Sequence, residues 1–159
     1  MENKSILLFE EHLNLTDIRD FGYSWDDLND PETPIPAEGA RFDLDFAGTV
    51  EGQILSGRIE GTDFLTVRAD GHFMLDIQAV VTTDDGVRLA VRETGVLNPT
   101  PEGIGHLRLN LTFTSHLPEY AWLNDMQIWA VGTVVRDTGE IRVQAFAGAH
   151  HRVPAPAAA

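Results

Sequence analysis

Hydrophobic and polar residues alternate along most of the chain, and glycines interrupt the alternation at short intervals. Residues 106–117 show the pattern clearly, with leucine or phenylalanine at every odd position except Ser115 and polar side chains at every even position. Successive side chains of a strand point to opposite faces, so this alternation predicts strands with one apolar face. Nine strands are predicted, near 5–15, 40–50, 53–60, 63–70, 72–83, 87–97, 106–117, 126–136 and 140–148.

Short turn sequences join several of these strands. Ala69-Asp70-Gly71-His72, Asp84-Asp85-Gly86 and Asp137-Thr138-Gly139-Glu140 are typical of tight hairpins, which makes neighbouring strands antiparallel. The sequence therefore predicts an all-β fold: a single antiparallel β-barrel of about eight or nine strands, with one open end. We expect one domain over 1–150, a long acidic loop near 17–39, and a flexible Pro/Ala tail over 151–159.

Composition narrows the classes of function. The 159 residues include no cysteine, which excludes disulfides, thiolate catalysis and cysteine-ligated zinc. The apolar run Ile6-Leu7-Leu8-Phe9 is too short for a signal peptide or a membrane span, so a cytoplasmic location is expected. A net charge of −14 argues against nucleic acid or an anionic membrane as a partner.

No cofactor or metal site is predicted. The chain lacks a phosphate-binding loop and a dinucleotide glycine pattern that opens a helix. Its six histidines show no paired metal-ligand spacing. The expected partner is a small-molecule ligand, and a homo-oligomer is also possible.

The acidic charge is concentrated near the N-terminus. From Glu10 to Glu32 there are eight acidic residues and one basic residue, Arg19. One interpretation is a solvated loop. The other is a lid that carries the aromatic residues Phe21, Tyr23 and Trp25 over a binding pocket.

Glu93 lies on the apolar face of the predicted strand 87–97, together with Val87, Leu89 and Val91. A buried carboxylate without a partner is costly, or its pKa rises until it is neutral. Either state would suit an acid or base catalyst. Alternatively, Glu93 reaches water at the barrel rim or pairs with an arginine.

Arg68 and Asp76 fall on adjacent predicted strands, where their side chains could meet. The polar strand faces that hold them either face solvent or line a wet cavity. Side-chain parity does not decide between these arrangements.

An aromatic-rich connection follows the strand at 106–117. Tyr120, Trp122 and Asn124 alternate there, and Trp129 follows five residues later. Aromatic side chains beside an amide suit the orientation of a small ligand. The alternative is a structural plug that seals one end of the barrel.

Several short motifs occur in an order that resembles the bacterial domain-of-unknown-function family numbered 3237, whose members look like allene-oxide-cyclase-type β-barrels. The resemblance covers about residues 40–148. It implies that Arg68, Asp76, Tyr120, Trp122 and Asn124 line the barrel mouth and that the acidic segment influences substrate choice. Glu93 is not part of that pattern. The motifs are Thr49-Val50-Glu51-Gly52, Leu55-Ser56-Gly57, Arg68-Ala69-Asp70-Gly71, Leu75-Asp76, Thr83-Asp84-Asp85-Gly86 and Tyr120-Ala121-Trp122-Leu123-Asn124.

The leading functional hypothesis is a cofactor-independent isomerase, cyclase or lyase that acts on a small carbonyl-bearing or cyclic metabolite. Asp76 or Glu93 would be the acid or base, and Arg68 would hold a substrate carboxylate or stabilise a developing enolate. Tyr120 would donate a hydrogen bond as part of the catalytic set. Substrate-binding side chains would be Tyr23, Trp25, Trp122, Asn124 and Trp129. The alternatives are a non-catalytic small-molecule-binding barrel and an oligomeric partner protein.

Overall fold

The computed structural model describes residues 4–149 and 151–155. More than half of them belong to one β-sheet, as the alternating pattern predicts. The eight strands are β1 (Ser5–Asp20), β2 (Ala40–Glu51), β3 (Gly57–Val67), β4 (Phe73–Thr83), β5 (Arg88–Asn98), β6 (Ile104–Thr114), β7 (Ile128–Val135) and β8 (Glu140–Gly148). A short helix α1 (Trp25–Asn29) and a 3-10 helix (Pro118–Leu123) lie in two of the connections.

The sheet closes on itself as an antiparallel barrel. Each strand pairs with the next one along the chain, and β8 returns to pair with β1. The predicted all-β antiparallel barrel is therefore confirmed. The predicted hairpin turns also form: the Gly71 and Gly86 amides each donate to a carbonyl three residues earlier at 2.9 Å, and both glycines have positive φ.

The predicted division between strands 53–60 and 63–70 is wrong, because one continuous strand β3 replaces them. Gly61, which falls between the two predicted strands, lies in the middle of β3 opposite Ala79. A Cβ atom at Gly61 would lie 2.5 Å from the Gln78 carbonyl oxygen and 2.6 Å from the Ala79 Cβ. This glycine therefore permits close packing of β3 against β4, which a small closed barrel requires.

The two ends of the barrel differ. The connections β1–β2, β3–β4, β5–β6 and β7–β8 meet at one end, which we call the mouth. At the opposite, closed end, the 3-10 helix spans from β6 towards β7 and buries Leu123, while Met126 is buried just after it. Phe9 and Phe113 pack edge to face inside this end, with ring centroids 5.9 Å apart. One end is thus filled by side chains.

The acidic N-terminal segment is more ordered than a loop. Strand β1 continues to Asp20, so the irregular connection covers only residues 21–39. Ser24 caps α1 by accepting a hydrogen bond from the Asp27 amide, and the Asp27 carboxylate accepts the Ser24 amide. Trp25 packs edge to face on the fully buried Phe42, which fixes α1 to the barrel.

The C-terminal segment is partly docked on the barrel. Among its described residues, Val153 packs against the core and the His151 ring accepts the Gln127 amide at 3.1 Å. Residues 156–159 of the predicted tail, and His150, lie outside the described part of the chain. No helix within residues 4–149 and 151–155 combines the length and the hydropathy that crossing a bilayer requires.

Gly61→Ala is expected to destabilise the barrel by about 1–3 kcal/mol, because the added methyl group collides with the backbone of β4. The measurement is the free energy of unfolding in urea. Glu60→Ala, on the exposed outer face of the same strand, is the control and should change stability little. Equal stability of the Gly61 variant and the wild type would contradict this account of strand closure.

Candidate functional site

A cavity of about 440 Å³ opens at the mouth and extends into the barrel. Its volume lies in the range of sites that bind small molecules. Apolar side chains from all eight strands form its wall, and one representative of each strand is Leu13, Leu44, Leu65, Leu75, Leu97, Leu109, Val134 and Ile141. The barrel interior therefore holds a lined space above the packed closed end.

Three carboxyl groups interrupt this apolar lining. Glu11 of β1, Asp63 of β3 and Glu93 of β5 all line the cavity and are only 1%, 7% and 2% exposed. On each of these strands the acidic residue is the cavity-lining position farthest from the mouth. We call these three residues the carboxyl floor.

The neighbours of Glu11 and Glu93 make the two carboxyl groups costly to ionise. Glu93 lies between Ile77 and Leu111 on the adjacent strands, and Glu11 likewise has valine partners on both sides. Oε2 of Glu11 and Oε1 of Glu93 are buried without a hydrogen-bond partner among the described residues. Within the described part of the chain, no basic side chain forms an ion pair with either carboxyl group.

Glu11 and Glu93 interact with each other across the interior. Burial raises the pKa of Glu11 to about 7, and the side-chain hydrogen bond to Glu93 limits that increase. Burial raises the pKa of Glu93 well above its usual range, and the neighbouring Glu11 charge and the hydrogen bond to Glu11 raise it further. A hydrogen bond between two carboxyl groups requires a shared proton, so near neutral pH Glu93 holds a proton and Glu11 alternates between two states.

Asp63 completes the carboxyl floor in a different environment. Its Oδ1 accepts the backbone amide of Asp76 at 3.1 Å, where the β3–β4 pairing is interrupted. Burial raises the pKa of Asp63 to about 7; that hydrogen bond lowers it, while the negative charges of Asp76 and Asp43 raise it further. The floor thus contains one neutral acid and two groups that titrate near neutral pH.

The acidic segment covers part of the mouth. Trp25, Leu28 and Ile35 from this segment line the outer part of the cavity. Arg136 also lines it, near Gly103 of the β5–β6 connection, and its Nε lies 3.4 Å from Asp137 Oδ1. Among the described residues that line the cavity, Arg136 is the one arginine or lysine.

Arg68 and Asp76 do not meet in the structure. Arg68 lies in the β3–β4 turn and pairs with Asp70 at 2.7 Å, whereas Asp76 points outward from β4 and pairs with Arg92 at 3.3 Å. All four side chains are at least 42% exposed. Neither side chain lines the cavity. Asp76 faces outward because the odd-numbered residues of β4 face inward, which corrects its expected position, whereas Arg68 lies in a connection at the mouth but points to Asp70.

The aromatic connection lies at the closed end, away from the mouth. Tyr120 donates to Asp85 at 3.0 Å, and Trp122 packs against the core. The Asn124 side chain makes two hydrogen bonds to the backbone of Ser115. Its Oδ1 accepts the Ser115 N–H at 2.7 Å, and its Nδ2 donates to the Ser115 carbonyl at 2.8 Å. Trp129 is 38% exposed on the outside of β7. None of these four side chains lines the cavity. The position of the connection fits the alternative interpretation, a structural plug that seals one end of the barrel.

Three predicted site residues remain, and two of them line the cavity. Trp25 and Glu93 line the cavity, whereas Tyr23 packs on the Phe42 ring beside it. Sequence reasoning missed Glu11 and Asp63, although the signal that identified Glu93 applies to both. Each is an acidic residue on the apolar face of its strand, with Phe9 and Leu13 flanking Glu11, and Leu65 following Asp63.

Residues 36–147 match a family described as protein of unknown function (DUF3237). The chain belongs to this family. The matched region holds Asp63 and Glu93, whereas Glu11 lies on β1 outside it. No curated protein matches the chain.

Solved structures share the barrel at low sequence identity. A protein with unknown function from Clostridium acetobutylicum has a TM-score of 0.77 at 16% identity, with 94% of this chain and 99% of that chain covered. A beta-barrel like protein from Acinetobacter baumannii has a TM-score of 0.71 at 22% identity, covering 91% and 95%. A structure described as an enzyme from Penicillium herquei has a TM-score of 0.59 at 20% identity, covering 91% and 94%. These similarities establish the fold.

The carboxyl floor predicts how stability depends on pH. Each raised pKa means that the folded state holds protons that the unfolded chain releases. The stability that Glu11 and Asp63 contribute is therefore fully present below their ordinary pKa values of 4.5 and 3.8, and it is lost as pH rises through about 7. Glu11 and Asp63 should each contribute a loss on the order of 3 kcal/mol between pH 4.5 and pH 8, so we expect the wild type to lose several kcal/mol, measured by urea unfolding.

Glu93→Gln should be more stable than the wild type at pH 8 and close to it at pH 4.5, because a neutral amide replaces a group that resists ionisation. Glu60→Gln, which is exposed, should leave the wild-type pH dependence unchanged. A wild-type protein as stable at pH 8 as at pH 4.5 would show that the carboxyl floor is not buried as described.

Asn124→Ala tests the structural role of the closed end. Loss of both hydrogen bonds to Ser115 leaves a buried backbone amide without its partner, so stability should fall by about 1–3 kcal/mol. Ligand affinity in the cavity should stay within twofold of wild type. Unchanged stability with weakened ligand binding would instead support the ligand-contacting role predicted from the sequence.

Proposed function

We propose that the protein is an acid–base enzyme that isomerises, cyclises or eliminates within a small organic molecule bound in the barrel cavity. The observation that carries the proposal is the Glu11–Glu93 pair, buried at the end of an otherwise apolar cavity. Paired carboxyl groups with different affinities for protons can supply one acid and one base at the same pH. The carbonyl-bearing or cyclic substrate class expected from the sequence remains part of the proposal.

The chemistry follows from the two protonation states. Glu93 holds the proton more tightly and donates it to a carbonyl or leaving-group oxygen, and ionised Glu11 removes a proton from a carbon or hydroxyl of the same substrate. The proton gained by Glu11 returns to Glu93 through their hydrogen bond. The cycle therefore balances without an oxidant, a reductant or a second substrate.

The apolar wall supports the same proposal. Excluding water from the reacting groups strengthens the electrostatic effect of each proton transfer. It also protects an enol or carbocation-like intermediate from water. Trp25 and the segment around it would contribute by covering the mouth once a substrate is bound.

A binding protein without catalysis is the second candidate. The mostly apolar lining and the sealed closed end suit a carrier that encloses a ligand as lipocalin-like barrels do. In that case the carboxyl floor would serve as hydrogen-bonding groups for the ligand. Intact recovery of every ligand that binds would favour this function.

The test begins with a thermal-shift screen of small carbonyl, enone and aromatic metabolites, followed by mass and chromatographic analysis of each stabilising compound. For a compound that is converted, Glu11→Gln and Glu93→Gln should each lower kcat by at least about 10²-fold while both variants remain folded. Glu60→Gln is the control for removal of a carboxylate outside the cavity.

Asp76→Asn belongs in the same experiment, because the sequence also predicted Asp76 as a catalytic residue. Loss of turnover in Asp76→Asn alone, with activity retained in both floor variants, would contradict the proposal and support the site predicted from the sequence. Retained turnover in all three variants would exclude carboxyl catalysis by these residues.

A further inference from the structure

No basic side chain of the described cavity lining lies beside the carboxyl floor. Oε2 of Glu11 and Oε1 of Glu93 are buried without a hydrogen-bond partner among the described residues, and Oδ2 of Asp63 likewise makes no hydrogen bond there. The nearest basic lining residue, Arg136, lies at the mouth and contacts Asp137. We propose that the cavity takes an apolar molecule that carries a protonated amine, and that the ammonium group binds the carboxylate of Asp63.

Asp63 is the member of the floor best suited to hold a cation. The Glu11 carboxylate already accepts a hydrogen bond from protonated Glu93. Asp63, in contrast, accepts only the backbone hydrogen bond from Asp76. An ammonium donor would add a charge-assisted hydrogen bond and remove the cost of a bare buried carboxylate. This assignment rests on the proposed function, because it leaves Glu11 and Glu93 for proton transfer.

The charge around the mouth favours the same ligand. The four connections at this end carry eight carboxylates and two arginines, and both arginines pair with neighbouring aspartates. A cleft surrounded by one sign of charge attracts ligands of the opposite sign and repels those of the same sign. The eight carboxylates are Asp26, Asp27, Asp30, Glu32, Glu38, Asp70, Glu102 and Asp137.

The wall defines the rest of the molecule. Between the mouth and the floor the lining is leucine, isoleucine, valine and phenylalanine, which gives polar substituents along the body no hydrogen-bond partner. A carboxylate or phosphate on the ligand would meet the three carboxyl groups of the floor. The class is therefore a hydrocarbon-rich monoamine, with anionic metabolites excluded.

Three probes of equal chain length separate the contributions of charge and apolar contact: octylamine, octan-1-ol and octanoate. Isothermal titration at pH 8, where an alkylamine is protonated and Asp63 is largely ionised, should show octylamine binding about tenfold more tightly than octan-1-ol. Octanoate should bind most weakly. In Asp63→Asn, which keeps an oxygen for the Asp76 amide, octylamine should lose that tenfold advantage while octan-1-ol binds as before.

Glu60→Gln removes one carboxylate from the outer face of the same strand and controls for attraction to the acidic surface. An equal loss of octylamine affinity in Glu60→Gln and Asp63→Asn would overturn the proposal, as would equal affinity of the wild type for octylamine and octan-1-ol. The titration measures binding without turnover. Failure here would therefore reject only the amine assignment, whereas unchanged kcat in the Glu11 and Glu93 variants would reject only the acid–base function.

Discussion

The structure depends on one electrostatic constraint: three carboxyl groups lie inside a closed barrel, and no described residue places a basic side chain beside them in the cavity. Moving a charged carboxylate from water into such surroundings costs several kcal/mol or forces the group to hold its proton. The surrounding residues could have formed a continuous apolar core at lower cost. The presence of Glu11, Asp63 and Glu93 therefore reduces stability at neutral pH, and under the proposed function these groups supply an acid and a base that an apolar core could not.

Closure of the barrel brings these groups together. β1, β3 and β5 are alternate strands, so their inward side chains approach from different sides of the same interior. In an open sheet, Glu11 and Glu93 would be four strands apart, too far to interact. The pairing of β1 with β8 closes the sheet. This closure brings Glu11 and Glu93 close enough for each to affect the pKa of the other. The filled closed end, with Phe9 and Phe113 below the floor, prevents water from reaching the pair from behind.

Most of the fold could be predicted from the alternation of residues and the turn sequences, because both are local properties of the chain. The exception at Gly61 is instructive, since a glycine that permits close strand approach has the same sequence signature as a glycine in a turn. For the site, parity placed Glu93 on an apolar face, and the same rule would have found Glu11 and Asp63. The alternation of side chains along a strand could not predict which carboxyl groups meet inside the barrel, because distances across the barrel depend on its closure and on the order of its strands. For Arg68 and Asp76 the prediction from adjacent strands was wrong. Arg68 lies in the β3–β4 turn, and Asp76 faces outward from β4, so the two side chains do not meet.

The protonation of the floor and the charge of a bound ligand are linked, because both act on the same carboxyl groups. An uncharged apolar ligand would expel water and disfavour ionisation further, which keeps Glu93 protonated and moves Glu11 towards its neutral state. A cation on Asp63 would oppose this effect by favouring ionised carboxylates nearby. A ligand of the second kind would therefore sustain an ionised base beside a protonated acid in the same dry cavity, whereas a neutral ligand would weaken the base that the reaction needs. Ligand charge is thus part of the proposed catalytic mechanism as well as of recognition.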